Sequence, residues 1–282
     1  MKQHNEITHH IASDVIAPLT FIVPQDEKPK FHSQALTGGQ VEYFFETETQ
    51  PIAISDLRAE ADSFTLDQAG FVFRNVPTKV RDLYDDDTVE GPYFDEIKAL
   101  LSDEFGASRV AIFDATRRSD GGQGAANKDG NRGPASRIHV DYTAKSGPQR
   151  AKDVLGTNEY DRLIASGARI VQVNVWRPIV GPVQRSPLAL ADASSVSPAD
   201  LIATDQVFPD RVGEIYHLAY NPAQRWYFAP EMTADEVLLI KGWDSVEAGQ
   251  ARFTPHTAFA LPNQDAAPAR ESIEIRTFVV IE

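Results

Sequence analysis

The sequence predicts a mainly β protein with flanking helices, built as a jelly-roll or cupin-like double sheet. Short runs of β-branched and aromatic residues, separated by turn residues, recur from about residue 40 to the C-terminus. Helical spacing of apolar residues occurs in few places, so predicted strands far outnumber predicted helices. Many antiparallel strands with a few helices packed outside them are typical of a double sheet of this kind.

The first 18 residues are expected to form a flexible N-terminal arm. They mix charged and polar residues, and His4, His9 and His10 are expected to be solvated there. Ordered structure is predicted to begin at Phe21. Because no linker or internal repeat divides the rest, residues 19–282 are expected to form a single domain.

The elements before residue 120 are predicted from short apolar runs and one helical pattern. Strands are predicted at residues 41–45, 52–54, 71–73 and 110–113. Pro92 is expected to open a helix that ends at Phe105, because apolar residues recur within it at three- and four-residue spacing. Residues 119–134 contain five glycines and almost no apolar anchor, so a mobile lid over a site and a plain flexible connection are equally compatible with them.

The second half of the chain is predicted to be rich in strands. A helix is expected around residues 151–164, followed by strands at 170–176, 214–219, 225–228, 236–241, 252–259 and 272–281. Within 170–176 the valines alternate with Gln172, Asn174 and Trp176. This polar face either lines a cavity or faces solvent, and the pattern does not decide between the two.

Composition limits the kinds of partner. The chain of 282 residues has a formal net charge of −14, which argues against nucleic acid or an anionic membrane as a partner, since both reward clustered Lys and Arg. It has no cysteine, so disulfides and thiolate metal sites are excluded. Neither a signal peptide nor a membrane-spanning run is evident, and we expect a cytoplasmic enzyme or binding protein for a small molecule. The sequence does not fix the oligomeric state, for which a homodimer is the option considered.

The residues around His139 indicate a metal site. Residues 137–143 read as a strand, on which alternate side chains share a face, so His139 and Asp141 project together. An imidazole and a carboxylate side by side supply two of the three ligands of a 2-His-1-carboxylate iron site. An ordinary hydrogen-bonded pair is the competing interpretation.

Outside the first 32 residues, only His217 and His256 remain as a third ligand. His256 lies late in the strand series, whereas His217 has aromatic and apolar flanks that favour a structural histidine. Arg270 follows His256 by a strand end and a turn, and it shares a strand face with Ser272. The two could clamp a carboxylate, which suits a cosubstrate such as 2-oxoglutarate; a surface ion pair is the alternative for Arg270.

Nine segments resemble a family of fungal and bacterial hydroxylases and desaturases, which includes gibberellin desaturase and the cephem 7α-hydroxylating component of cephamycin biosynthesis. The resemblance runs from about residue 40 to the end, and it is carried by residues 65–71, 112–118, 139–143, 174–178, 186–192, 225–228, 239–245, 255–259 and 270–276. One departure is Ala115, where the family pattern has histidine, so no role is assigned to that position.

The resemblance implies a non-haem Fe(II)- and 2-oxoglutarate-dependent oxygenase with a double-stranded β-helix core. It implies His139, Asp141 and His256 as iron ligands and Arg270 and Ser272 as the 2-oxoglutarate site. O2 would be the second cosubstrate, succinate and CO2 would be released, and the outcome would be hydroxylation, desaturation or ring closure of a small secondary-metabolite-like substrate.

Further residues are candidates for the substrate pocket, each with a structural role as an equal alternative. These candidates are Arg117, Asn174, Trp176, Arg177 and Arg225. Two other functions remain open from the residues alone: a cupin-like protein that binds a small acid without redox turnover, and a metal-dependent hydrolase that uses the same ligands for Zn(II).

Overall fold

A computed structural model describes residues 14–128 and 130–282. Within them the chain forms fifteen strands: β1 Val15–Ile22, β2 Lys30–His32, β3 Glu42–Phe44, β4 Thr47–Asp56, β5 Phe71–Asn75, β6 Arg109–Ser119, β7 His139–Val140, β8 Arg169–Val180, β9 Leu188–Ala191, β10 Leu201–Val207, β11 Val212–Leu218, β12 Trp226–Phe228, β13 Glu236–Asp244, β14 His256–Ala258 and β15 Glu271–Ile281. The α-helices are α1 Gln34–Thr37, α2 Asp86–Thr88, α3 Phe94–Phe105, α4 Ser146–Leu155 and α5 Thr157–Ser166. None of these helices combines the length and the apolar character needed to cross a bilayer.

The strands form two sheets. One has ten strands in the order β1-β4-β12-β9-β14-β7-β11-β10-β2-β3, and the other has five in the order β5-β13-β8-β15-β6. A bridge between Ile22 and Ala219 joins β1 to the residue after β11, so the larger sheet curls back on itself. The predicted mainly β, jelly-roll architecture is confirmed.

Three apolar layers hold the sheets and helices together. Between the sheets, Trp176, Leu238 and Ile240 of the smaller sheet pack with Leu188 and Leu190 of the larger one. On the outer face of the smaller sheet, α3 packs against the valines of β8 and the isoleucines of β15. Helices α4 and α5 pack against the smaller sheet at the end where β8 begins. The space between the sheets is therefore backed by α3 behind the smaller sheet and by α4 and α5 at one end.

Several element boundaries differ from the sequence prediction. The expected arm over residues 1–18 is wrong at its end, because β1 begins at Val15, buries Ala17 and pairs with β4. Residues 1–13, with His4, His9 and His10, lie outside the described residues. The helix expected over 151–164 is two helices, because Gly156 has φ 90° and ψ 137°, a conformation that favours glycine.

The strand predicted at 252–259 is the largest overestimate. Only His256–Ala258 forms a strand, since Pro255 has no N–H to give to a ladder. Conversely, β1, β2, β9 and β10 were not predicted. In β9 the sequence Leu-Ala-Leu-Ala favours a helix, and it is extended because Leu188 and Leu190 pack between the sheets.

Candidate active site

Two short strands of the larger sheet bring three potential metal ligands together. β7 and β14 are neighbours, with His139 directly opposite His256. Asp141 follows the end of β7, so the strand predicted over 137–143 is reduced to two residues. Ligand atoms of His139, Asp141 and His256 all lie within 4.8 Å of one another. The pair His139 and Asp141, identified from alternation, does meet one of the two candidate histidines.

The two histidine rings are oriented by the same device. Nδ1 of His139 lies 2.9 Å from the carbonyl oxygen of Arg137, and Nδ1 of His256 lies 3.0 Å from that of Thr254. Because a carbonyl oxygen only accepts, each Nδ1 carries the hydrogen and each Nε2 keeps its lone pair. Burial, with the neighbouring His256, lowers the pKa of His139 to about 4. His139 is therefore neutral at pH 7, as a metal ligand must be.

Asp141 is held as a carboxylate by groups from the smaller sheet. Its Oδ2 accepts a hydrogen bond from Asn174 Nδ2 at 2.7 Å, and Arg276 Nε lies 3.5 Å from the same oxygen. Burial acts to raise the pKa of Asp141, but Arg276, both histidines and Asn174 hold it well below its ordinary value. Its Oδ1 lies 3.6 Å from His139 Nε2, on the side of the ligand cluster.

The side chain of Asn174 is held in turn by a hydrogen bond from Gln172 on the same strand. Gln172 Nε2 donates to Asn174 Oδ1 at 2.6 Å, and both side chains are fully buried. Gly242 on the neighbouring strand leaves room for this arrangement, because a Cβ there would lie 2.0 Å from Gln172 Oε1. The polar face of β8 thus faces the interior, and Asn174 positions Asp141.

The last strand, β15, presents alternate charged residues to a cavity beside these ligands. The cavity is lined by Arg118, Ala135, His139, Trp176, Leu188, His256, Thr257, Ala258, Arg270, Glu274 and Arg276. Ser272 is also buried between Arg270 and Glu274 on this face, although it is not among the lining residues. Arg276 is compensated by Glu274 at 2.8 Å and Asp114 at 3.1 Å, besides Asp141.

Arg270 is the buried cation of this cavity that lacks an acidic partner. It is 2% exposed, and its Nε and Nη2 have no hydrogen-bond partner among the described residues. Its guanidinium carbon lies 5.8 Å from the centre of the Trp176 ring. A buried guanidinium with two free donors is a site for a carboxylate, since leaving such donors unpaired is costly.

A buried charged cluster anchors the loop that carries His256. Lys241 Nζ contacts Asp67 at 2.7 Å, Asp244 at 2.9 Å and the carbonyl oxygen of Ala251 at 2.9 Å. Arg169 bonds both of these aspartates. The hydrogen bonds from Arg169, and to a lesser extent the pairing with Lys241, lower the pKa of Asp67 to about 2. Burial acts in the opposite direction and does not outweigh them.

A hydrogen bond from Thr254, two residues before His256, joins the same loop to Gly70. Thr254 Oγ1 donates to the carbonyl oxygen of Gly70 at 2.9 Å, and the Thr254 carbonyl accepts from His256. Gly70 has φ +79°, and a Cβ there would lie 2.2 Å from Thr254 Oγ1. His256 is therefore positioned through a chain of contacts that begins at Lys241.

His217 lies on the other side of His139 and outside the ligand cluster. It is in register with His139 through β11, but its ring packs against Phe45 at 5.0 Å and Phe31 at 5.7 Å. Its Nδ1 has no hydrogen-bond partner among the described residues. Burial, with the charge of His139 and Arg137, lowers the pKa of His217 to about 3.

The structure places the substrate-pocket candidates from the sequence differently relative to this cavity. Trp176 does line the cavity. Arg177 points to the opposite face, where it bonds the hydroxyl of Tyr93 and the carbonyl oxygen of Val76, because side chains alternate along β8. Arg225 is exposed and paired with Asp192 at 2.6 Å. Neither Arg177 nor Arg225 lines the cavity.

Arg117, which the sequence suggested for the substrate pocket, and its neighbour Arg118 lie on opposite faces of β6. Arg117 faces away from the ligand cluster and bonds the Leu83 carbonyl oxygen at 2.6 Å and Asp86 at 2.7 Å. Arg118, which sequence reasoning missed, lines the cavity. Strand β6 runs to Ser119, beyond the predicted end at residue 113, so the alternation that places Arg118 inside was not available.

Comparisons with known proteins identify the family and the fold of this chain. Residues 19–280 match the family described as the Oxidoreductase/YMDC permease-like domain. The hydroxylase/desaturase efuI of Hormonema carpetanum is 34% identical over 255 residues, which cover 83% of this chain and 84% of that protein. The Fe(II)/2-oxoglutarate-dependent dioxygenase nvfI of Aspergillus novofumigatus is 31% identical over 250 residues, 86% of this chain and 87% of that protein.

A solved structure is similar over nearly the whole chain. The iron and alpha-ketoglutarate-dependent endoperoxidase NvfI superposes with a TM-score of 0.82 at 27% identity, covering 94% of this chain and 97% of that one. The resemblance read from the sequence is therefore confirmed at the level of family and fold.

Proposed function

This chain belongs to the family of the Oxidoreductase/YMDC permease-like domain and is an Fe(II)- and 2-oxoglutarate-dependent oxygenase, and on that premise we propose that His139, Asp141 and His256 bind the iron. The proposal rests on one observation: a ligand atom of each residue lies within 4.8 Å of a ligand atom of the other two. Two imidazoles and one carboxylate form the facial ligand set of non-haem Fe(II) oxygenases. The binding-protein and hydrolase alternatives are not supported, since the relatives are named for oxidation.

Arg270 and Ser272 are assigned to 2-oxoglutarate. The two unpartnered nitrogens of Arg270 fit the carboxylate at the far end of this cosubstrate, and the Ser272 hydroxyl lies on the same strand face. A charge-assisted, bidentate guanidinium–carboxylate pair fixes both position and orientation. The cosubstrate site is thus a continuation of the ligand cluster along β15.

The bound iron, with 2-oxoglutarate and O2, supplies the oxidation of an unactivated C–H bond, with succinate and CO2 as coproducts. The protein residues prepare that site. Asn174 and Arg276 keep Asp141 ionised and direct its Oδ1 to the ligand cluster. The backbone carbonyls of Arg137 and Thr254 hold the ring hydrogens at Nδ1. Such partners tune metal affinity as well as ligand orientation.

The substrate is a small organic molecule of the secondary-metabolite type. The relatives carry the names hydroxylase, desaturase and endoperoxidase, so one scaffold supports several outcomes of the oxidation. Trp176, Leu188 and Ala258 give the cavity apolar walls that exclude water from the reacting atoms. A cytoplasmic location and a homodimer stay predictions.

The test is an anaerobic titration of metal-free protein with Fe(II) and 2-oxoglutarate. The visible charge-transfer band that the two form together should appear at one equivalent of iron. It should be lost in Asp141→Ala, and Arg270→Met should require far more 2-oxoglutarate. Iron binding without a band in the unmodified protein would remove 2-oxoglutarate from the proposal, and a band of full intensity in Asp141→Ala would remove that ligand.

A further inference from the structure

Three guanidinium groups line the cavity, and they differ in what neutralises them. Arg276 lies within 3.5 Å of three carboxylates, those of Asp141, Glu274 and Asp114. Arg270 has no carboxylate partner among the described residues and is assigned above to 2-oxoglutarate. Arg118 donates Nη1 to the carbonyl oxygen of Gly133 at 2.9 Å, and no ion pair joins it to any described residue.

Arg118 lies beside the proposed cosubstrate clamp. On β6 it is directly opposite Ser272 of β15, so the two side chains share a face. Its diagonal neighbours on that face are Arg270 and Glu274. The cavity lining from β9 and β14 combines the apolar Leu188 and Ala258 with His256 and Thr257. With 2-oxoglutarate on Arg270, and with Arg276 paired to carboxylates, Arg118 is the cation left for a further ligand, beside the apolar side chains of Leu188 and Ala258.

The electrostatics of this pair favour a second anion. Burial lowers the pKa of Arg270 to about 10, with the charge of Arg118 as the next cause. Burial likewise lowers the pKa of Arg118. Arg118 therefore makes the charge of Arg270 less favourable, whereas nearby Glu274 and Asp141 favour the charge of Arg118 without forming an ion pair with it. The far carboxylate of 2-oxoglutarate would compensate Arg270, and Arg118 would keep the Gly133 carbonyl oxygen as its one hydrogen-bond partner among the described residues.

We propose that Arg118 binds a carboxylate of the substrate, and therefore that the substrate class is a carboxylic acid with an apolar body. The inference rests on the proposed function, because it takes Arg270 as the cosubstrate residue. A carboxylate at Arg118 gains charge-assisted hydrogen bonds, while its apolar body packs against Leu188 and Ala258. Arg118 thereby selects acids over their neutral isosteres.

The experiment uses the protein loaded anaerobically with Fe(II) and 2-oxoglutarate and two probes of one shape, benzoate and benzamide. Binding is measured by calorimetry and by perturbation of the charge-transfer band. We expect benzoate to bind about tenfold or more tightly than benzamide, as charged hydrogen bonds allow. Arg118→Leu should abolish this preference while changing the affinity for 2-oxoglutarate by less than about threefold.

Two further variants complete the test. Arg117→Leu removes the same charge from the neighbouring position, whose side chain lies on the opposite face, and should keep the preference for benzoate. Arg118→Lys keeps the charge without the planar fork and should keep part of it.

The outcomes separate the inference from the function. Equal binding of the two probes by the unmodified protein, or a loss in Arg117→Leu as large as in Arg118→Leu, overturns the inference alone. So does a large loss of 2-oxoglutarate affinity in Arg118→Leu, which would make Arg118 part of the cosubstrate clamp. Absence of the charge-transfer band in the unmodified protein overturns the proposed function and the inference with it.

Discussion

Strand β7 has a histidine on each side of His139. His256 in β14 and His217 in β11 are both directly opposite it, and both are 4% exposed. Register and burial therefore do not distinguish them. The difference lies in their surroundings. His256 has a carbonyl partner for Nδ1 and Asp141 nearby, whereas His217 is packed against two phenylalanine rings and its Nδ1 has no partner within residues 14–128 and 130–282.

These differences are the reason why we propose His256, and not His217, as a metal ligand. A ring fixed by a bond from Nδ1 presents Nε2 in one direction, and a carboxylate close by provides a second donor. His217 has neither feature, although it is as close to His139 in the sheet. We therefore infer a structural role for it, as the sequence favoured.

The largest expected effect separates the two histidines directly. His256→Ala removes a proposed ligand and should weaken Fe(II) binding by about 100-fold or more, beyond the usual effect of outer partners. His217→Ala should change that affinity by less than about threefold. Equilibrium dialysis against Fe(II) under anaerobic conditions measures both. Iron retained by the first variant and lost by the second would reverse the assignment.

The next effect tests how the shared carboxylate is positioned. Asn174→Leu removes the hydrogen bond to Asp141 Oδ2 and should weaken Fe(II) binding by about 10- to 100-fold. Thr204→Val is a matched control, because Thr204 is fully buried in β10 and bonds only the carbonyl oxygen of Ile202. Equal affinities in the two variants, by the same dialysis, would show that Asn174 has no influence on the metal.

A smaller effect is expected where His256 is anchored from a distance. His217 sits within a seven-residue strand, but His256 opens a three-residue strand after a loop that Lys241 holds. Lys241→Met should weaken Fe(II) binding by about tenfold through displacement of that loop. Rescue by Lys241→Arg would support a positioning role.

The control for Lys241 is a partly buried ion pair elsewhere in the protein. Arg58 pairs with Glu236 at 2.7 Å and bonds Pro230, without contact to the loop before His256. Arg58→Met should destabilise the protein in denaturant but leave Fe(II) affinity unchanged. An equal loss of affinity in both variants would reduce the Lys241 effect to general destabilisation.

The smallest effect concerns His217 and appears only in stability. Its pKa is about 3 in the folded protein against an ordinary 6.5, so below pH 6.5 the unfolded chain binds a proton that the folded protein refuses. The free energy of unfolding should therefore fall as the pH drops through this window. His217→Phe should remove about 2 kcal/mol of the loss between pH 6.5 and pH 5.

Denaturant unfolding of the metal-free protein at these two pH values measures the difference, since His139 titrates in both proteins and cancels. Identical pH dependence in the two proteins would show that His217 accepts a proton in the folded state.

The sequence predicted the parts of the site that follow from local alternation. The two-residue spacing of His139 and Asp141 and the alternation of β15 are visible in the chain itself. The choice between His217 and His256 also followed from their flanks and from the family resemblance. The ligand roles of these residues stay predictions until a metal is observed.

What the sequence could not provide depends on contacts between distant strands. Asn174 was taken for a pocket residue because its partner, Asp141, lies in the other sheet. Arg118 was not among the pocket candidates, because the predicted strand stopped six residues short of Ser119 and its alternation was not available. The extended conformation of Leu188–Ala191 opposes its local preference and is imposed by packing between the sheets.

We propose that one metal ion binds between His139, Asp141 and His256. Anomalous diffraction at the iron absorption edge, from crystals grown anaerobically with Fe(II) and 2-oxoglutarate, tests it most directly. We predict a single anomalous peak that marks an iron ion within bonding distance of Nε2 of both histidines and of Oδ1 of Asp141, with no peak at His217. An iron ion at His217, or one bound through Nδ1 of either proposed histidine ligand, would rule out this ligand assignment.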